Sequence, residues 1–237
     1  MTPTIVLLHA DRDIVAVSKP AGLPVIPAPP PSSPADSLRI MLERELGCAL
    51  WVVHRLDRDA SGVVVFARSA DAHRALCLAF ERREVAKAYA ALTAGVPEPP
   101  TGTIEIPLHA ARRGKTRPAA PGEPGLREAI TAYSTERTWR KGPSRVGLVS
   151  ARPRTGRHHQ LRVHFRAIGT PLVHDQLYGK GADLTGLTDL PCQRLALHAT
   201  HLVIPEAVLG TRFEFEAPLA PDFAEAISWL DREWQAE

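Results

Sequence analysis

The 237-residue sequence predicts an α+β fold organised around a mixed, largely antiparallel sheet with flanking helices. Three observations carry that expectation. Strand-like runs outnumber helical ones, they are not spaced as repeated β-α-β units, and 22 prolines with 16 glycines imply many turns and few long helices. At about 150 residues per domain, the length suits one large domain or two small ones. No repeat and no linker divides the sequence, so a single domain over 1–237 is expected.

Ile5–Leu8 and Asp13–Ser18 read as short strands, the second running into the turn signal Lys19-Pro20-Ala21-Gly22. Pro24–Pro34 is too rich in proline for a helix or central strand and reads as an extended surface loop. Apolar residues at 38, 41, 42 and 46 mark an amphipathic helix over Ser37–Leu46, closed by Gly47. Trp51–Val53 and Gly62–Ala67 look like buried strands flanking the polar segment His54–Ser61. Ser69 caps a second helix to about Arg82, with Ala72, Leu76, Ala79 and Phe80 on one face. Val85–Thr93 alternates as a strand and carries Lys87 and Tyr89. Next come Thr103–Ile106, a basic loop from Ala110 to Gly125, and strands at Ala129–Glu136 and Arg145–Ala151. A helix is expected from Gly156 to Ile168, ended by Gly169. Gly181–Pro191 is a loop, followed by strands Leu195–Ile204 and Arg212–Glu216 and a short helix from Asp222.

The composition, 44% hydrophobic and 23% charged, excludes wholesale disorder. Apolar runs such as Val63–Ala67 fall far short of the roughly 20 residues a membrane span needs. No basic segment opens the chain, so a secretory signal is not expected. Cys48, Cys77 and Cys192 are odd in number and far apart, which argues against a disulfide framework or cysteine-held zinc and for a reducing cytoplasm. A monomer is the simplest assembly.

Charge distribution hints at a partner. From Arg137 to His174 there are nine Arg and Lys residues and no acid, whereas eight acids from Glu206 onward face only Arg212 and Arg232. Arg112, Arg113, Lys115 and Arg117 form a second basic cluster in a turn-rich stretch. This is the pattern of a polyanion-binding face. Arginine's planar fork also suits phosphates and bases.

Two segments concentrate chemistry. His54-Arg55-Leu56-Asp57-Arg58-Asp59-Ala60-Ser61-Gly62 sets polar groups in a loop between two apolar strands. Asp57, between arginines at 55 and 58, is expected to stay ionised and could serve as nucleophile or base; the plain alternative is a turn aspartate bonding its own backbone. Thr155–His164 packs two arginines, three histidines and a glutamine into ten residues at an expected helix start. There His158 and Arg162, and Gln160 and His164, would share helix faces. Such a helix could aim a guanidinium at a carboxylate while its N-terminus meets phosphate, or could simply be a solvated basic face. No recognised ligand spacing links the histidines (54, 158, 159, 164, 174, 198, 201), so no metal is expected.

Together these segments resemble the RluA-type pseudouridine synthases, which isomerise uridine in structured RNA. The resemblance begins at Asp13–Gly22, continues through His54-Arg55-Leu56-Asp57 with Ser61-Gly62, then Lys87-Ala88-Tyr89 and Thr155–His164. It closes with Leu197-His198-Ala199 and Ala217-Pro218. By this resemblance the fold is the family's mixed-sheet catalytic domain with a central cleft, and no separate N-terminal RNA-binding domain is expected. Asp57 would be the catalytic aspartate, Tyr89 the tyrosine packed on the target base, and Arg162 the arginine paired with the aspartate. Arg55 would replace the flipped nucleotide in the RNA, with Arg157, His159 and Gln160 as supporting site residues. Arg112, Arg113, Lys115 and Arg117 are candidates for further phosphate contacts. Ala60, His158 and His174 depart from the family pattern, where a threonine, a small hydroxyl residue and a glycine usually stand.

The implied reaction breaks the bond from ribose to a ring nitrogen, turns the base and rejoins it through a ring carbon. It involves no redox change and no phosphoryl transfer, so no cofactor is expected. The ionised Asp57 could trap the developing sugar cation, or remove a proton from the neighbouring sugar carbon. The substrate would be tRNA or ribosomal RNA. A non-catalytic RNA-binding module and a nucleoside hydrolase are the other readings; turnover excludes the first and free uracil would mark the second.

Overall fold

A computed structural model describes residues 5–27, 37–111, 114–120 and 122–237. Most of the proline-rich loop expected at Pro24–Pro34, together with Arg112 and Arg113, lies outside the described residues. The elements, in chain order, begin with strands β1 (Val6–Ala10) and β2 (Ile14–Lys19), helix α1 (Leu38–Leu46), strands β3 (Trp51–Val52) and β4 (Ser61–Ala67), and helix α2 (Ala70–Glu81). Six strands follow: β5 (Ala86–Ala94), β6 (Thr101–Ile104), β7 (Leu108–Ala110), β8 (Thr116–Pro118), β9 (Thr131–Lys141) and β10 (Ser144–Pro153). Helix α3 (Gln160–Ala167), β11 (Leu197–Ile204), α4 (Glu206–Leu209), β12 (Phe213–Glu216), α5 (Pro221–Glu233) and β13 (Gln235–Ala236) complete the chain. The expected α+β class with mostly antiparallel pairing is what is found.

The chain falls into two compact units. In the first, Met1–Lys87 with His198–Ala220, the centre is β4. All seven of its residues are buried, which is why the run Val63–Ala67 is continuously apolar. It pairs antiparallel with β2 from Ile14↔Ala67 to Lys19↔Gly62 and parallel with β11 at His198↔Ser61 and Ala199↔Gly62. One face of these strands (Ile14, Ala16, Val63, Val65, Ala67) packs with Ala72, Leu76 and Ala79 of α2. Helix α2 starts where expected, because the Ser69 side chain accepts from the Ala72 N–H. Helix α1 ends at Gly47 in the left-handed conformation. The expectation of a buried strand at Trp51 is corrected. Strand β3 has only two residues, paired to the far end of β4, and Trp51 is exposed.

The second unit, Ala88–Leu197 with Pro221–Glu237, is built on antiparallel strands. Strand β10 pairs with β5 on one side and with β9 on the other, while β6 and β13 pair with β9. Two expectations change here. The stretch read as a basic loop contains a hairpin of β7 and β8, with His109 opposite Arg117. Burial of Leu108 and a bond from the Thr116 N–H to the Tyr178 hydroxyl hold it, and both are tertiary contacts. Helix α3 begins at Gln160, not Gly156. His159 sits at φ 54° and ψ 22°, a left-handed geometry through which no helix runs backwards.

Candidate active site

In the first unit, Asp57 lies half-buried on the segment between β3 and β4, with Arg55 and Arg58 exposed beside it. Bonds from outside the loop fix it. Lys19, only 1% exposed, donates its ammonium to the carbonyls of Pro20, Leu23 and Arg58 at 2.8–3.0 Å. Gly22 N–H donates to the Arg58 carbonyl, and Arg58 Nε donates back to the Gly22 carbonyl. The Lys-Pro-Ala-Gly turn and the aspartate's loop are therefore one bonded assembly. Ala60 N–H also closes a turn onto the Asp57 carbonyl.

The loop's exit is equally constrained. Ser61 Oγ bonds His198 Nδ1 at 2.8 Å, and His198 Nε2 reaches the Ala217 carbonyl at 3.3 Å. With Nε2–H donating, Nδ1 accepts from the serine hydroxyl. Gly62 at φ 114° is pressed so close to Ala199 that a Cβ would lie 2.1 Å from the carbonyl oxygen. Ser61 and Gly62 thus pack directly against His198 and Ala199. His54 accepts the Val65 N–H on Nε2 at 2.9 Å and stacks on Phe80. Burial, with the nearby Lys87 charge, pushes its pKa down to about 3, so it is a neutral structural acceptor. Burial lowers Lys87 to about 8.

In the second unit, Tyr89 is half-buried on β5 opposite Ala151 of β10. Helix α3 presents Arg162, whose Nε and Nη2 meet the two carboxylate oxygens of Asp175 at 2.8 and 2.7 Å. Both side chains are buried, at 7% and 0% exposure. The guanidinium carbon lies 5.1 Å from the Tyr178 ring centroid. Tyr178's hydroxyl accepts from Thr116 N–H and shares a hydrogen bond with His159 Nδ1 at 2.8 Å. The His158 and His159 rings stack 3.6 Å apart. His158 precedes the helix, so the helical spacing expected between it and Arg162 does not arise.

Gln160 is 4% exposed. Its carbonyl oxygen accepts from Thr155 Oγ1 and Arg157 N–H, and its amide donates to the Ile130 carbonyl and Thr131 Oγ1. Thr131 passes its proton to His164 Nδ1, and His164 Nε2 donates to the Ile106 carbonyl. Gln160 and His164 do share a face, and that face is buried polar core. All of Gln160–Phe165 is buried, so the reading of a solvated basic face is excluded. Arg157 Nε donates to the Glu128 carbonyl.

The acid-free window is not a uniform polyanion face either. Arg137 pairs with Asp231, Arg140 with Glu237, and Arg145 with both Glu237 and Glu98. Acids from the tail fold back onto these cations. Arg152, Arg154 and Arg166 are exposed and have no ion pair among the described residues. In the second cluster Lys115 is exposed, whereas Arg117 is paired to Glu123, whose carboxyl it pushes down to about 2. Among the described residues no group of three or more His, Cys, Asp or Glu converges as a metal site would. No described helix is long and apolar enough to cross a membrane.

Sequence alone does not single out Asp175 or Lys19 as site residues. Their signals are present in His174-Asp175-Gln176-Leu177-Tyr178-Gly179 and in the Lys-Pro turn, but neither shows its partner. His174 has φ 55°, which accounts for the glycine usual at that position of the pattern. A Cβ on Gly179 would meet the Asp175 carbonyl at 2.5 Å.

The chain belongs to the RNA pseudouridylate synthase family, whose model matches residues 13–167, and is an enzyme that isomerises uridine in RNA to pseudouridine. Within it the relatives are RluA-type. The chain is 36% identical over 216 residues to a dual-specificity RNA pseudouridine synthase RluA of Salmonella typhi, covering 91% of this chain and 94% of that one. It is 35% identical over 240 residues to a ribosomal large subunit pseudouridine synthase D of Haemophilus ducreyi, covering 97% and 71%. Among solved structures it is similar to human RNA pseudouridylate synthase domain containing 4, with TM-score 0.75, 27% identity and coverage of 98% and 94%.

Proposed function

We propose that this synthase modifies uridines in tRNA, ribosomal RNA or both, with Asp57 as the acting carboxylate. The supporting observation is the anchoring of the Asp57 loop at both ends, by Lys19 at one and by Ser61–His198 with Gly62–Ala199 at the other. A carboxylate held in place before substrate arrives needs no reorganisation when positive charge develops on the sugar. Arg162, itself held by Asp175, is the arginine that serves the reaction on this reading. Tyr89 packs on the detached uracil so that it rotates instead of leaving. Flipping the target nucleotide costs a few kcal/mol. Exposed Arg55 fills the vacated stack, and phosphate contacts by Lys115, Arg152, Arg154 and Arg166 supply binding energy.

On this reading the enzyme is a single catalytic domain, a monomer of the cytoplasm where its RNA is found. The isomerisation balances without electron or phosphoryl transfer and calls for no cofactor. Asp57→Asn and Asp57→Ala should form no pseudouridine on bulk tRNA and ribosomal RNA transcripts, while RNA affinity stays within about twofold because the phosphate contacts are untouched. Normal turnover by either variant would exclude Asp57 as the acting group. The two relatives named for RluA and for large-subunit modification support the choice of RNA.

A further inference from the structure

We propose that Asp175 is the positioning residue for Arg162, a buried anchor that sets the guanidinium for the isomerisation without itself meeting RNA. The proposal rests on the reading that Arg162 acts in catalysis. The Asp175 side chain is 0% exposed, so no polymer reaches it. Its two oxygens take two N–H groups of Arg162 side by side, the geometry that fixes both the position and the plane of a guanidinium. Oδ1 also accepts from the N–H groups of Leu177 and Tyr178, so the carboxylate is itself held by the turn that follows it. That turn brings the Tyr178 ring against the guanidinium. The left-handed backbone at His174 and the close approach at Gly179 shape the same turn. One short segment, 174–179, thus meets the Arg162 guanidinium both at its N–H edge and with an aromatic ring.

Asp175→Asn isolates the effect. Its amide oxygen can still accept from Leu177 and Tyr178, but the amide NH2 then faces the Arg162 Nε–H, donor against donor. The readout is single-turnover release of tritium from uracil C5 in an unmodified bulk tRNA transcript, since the new carbon–carbon bond displaces that hydrogen. Asp175→Asn should slow turnover about 30- to 100-fold, with RNA Kd within about twofold of wild type. Asp175→Glu keeps the charge but moves the carboxylate by one methylene. It should lose at least about tenfold, and it serves should Asp175→Asn prove unstable. Arg162→Lys, which keeps a charge and lacks the fork, should also be slow. In that background Asp175→Asn should cost less than about threefold more, because the residue it positions is already gone.

Wild-type turnover in the Asp175 variants, a loss confined to RNA affinity, or full multiplication of the two losses would overturn the anchor. Normal turnover by Arg162→Met would remove the catalytic role of Arg162 and the anchor with it. An inactive Arg162→Met beside active Asp175 variants would remove the anchor alone.

Discussion

In Gly62→Ala the added methyl would lie 2.1 Å from the carbonyl oxygen of Ala199, 2.5 Å from its nitrogen and 2.7 Å from its carbonyl carbon. All three are backbone atoms of the strand paired with Gly62, so no side-chain rotation relieves the overlap. Holding a non-glycine residue at φ 114° costs about 1–3 kcal/mol. Forcing two strands apart adds about 1–3 kcal/mol more. A total near 4 kcal/mol is a large part of the roughly 5–15 kcal/mol that keeps a protein folded. At about 2–4 °C per kcal/mol for a chain of this size, Tm should fall by about 8–16 °C. The control is Gly47→Ala, where φ is 64° and nothing lies within 4 Å, so only backbone strain is added. At about 1–2 kcal/mol for a left-handed residue with a Cβ, it should lower Tm by about 2–8 °C. Thermal unfolding followed by circular dichroism compares the two. Because Gly62 directly follows the Asp57 loop, turnover of the folded fraction should also fall in Gly62→Ala and not in Gly47→Ala. Equal melting of the two variants would refute the argument that Ala199 excludes a side chain.

Two further outcomes follow from the charges. The folded-state pKa of His54, about 3, lies below its ordinary 6.5, so the unfolded chain takes up the proton first. The stability that neutral His54 confers is complete above pH 6.5 and is lost as the pH falls toward 3. Between pH 6.5 and 5 the wild type should lose about 2 kcal/mol more than His54→Gln, at about 1.4 kcal/mol per unit, in urea titrations at each pH; parallel pH profiles would contradict it. For RNA, the triple change Arg152→Gln, Arg154→Gln, Arg166→Gln should flatten the salt dependence of binding by about 1 for each phosphate no longer neutralised. Arg137→Gln should leave the slope unchanged, because Asp231 already neutralises that side chain; the reverse pattern would place the RNA phosphates at Arg137 and not at these three arginines.

Where signals were local, the residues could be read directly. Ser69 caps α2 and Gly47 ends α1 because a hydroxyl two or three positions from an N–H, or a residue lacking Cβ, acts on its own neighbours. The buried strand β4 showed as an unbroken apolar run, and the Asp57 loop as a polar insertion before it. Helix α3 misled, because periodicity continues through Arg157 and His158 while the chain does not. The Gln160 side chain accepts the Arg157 N–H and the Thr155 hydroxyl, and this holds 155–159 as a turn. The β7–β8 hairpin was equally hidden, since the Tyr178 hydroxyl that secures Thr116 lies 62 positions along the chain.

The sequence by itself determined the class of fold, the order of the motifs and the residue types that the chemistry needs. Local periodicity, capping and motif spacing are properties of neighbouring residues. Which cations remain to meet RNA was decided only in three dimensions, where Asp231 and Glu237 return to Arg137, Arg140 and Arg145. So was the hold of Asp175 on Arg162 and of His198 on Ser61. Ion pairs and close contacts depend on distance through space. Composition counts the charges in a chain, and folding alone chooses their partners.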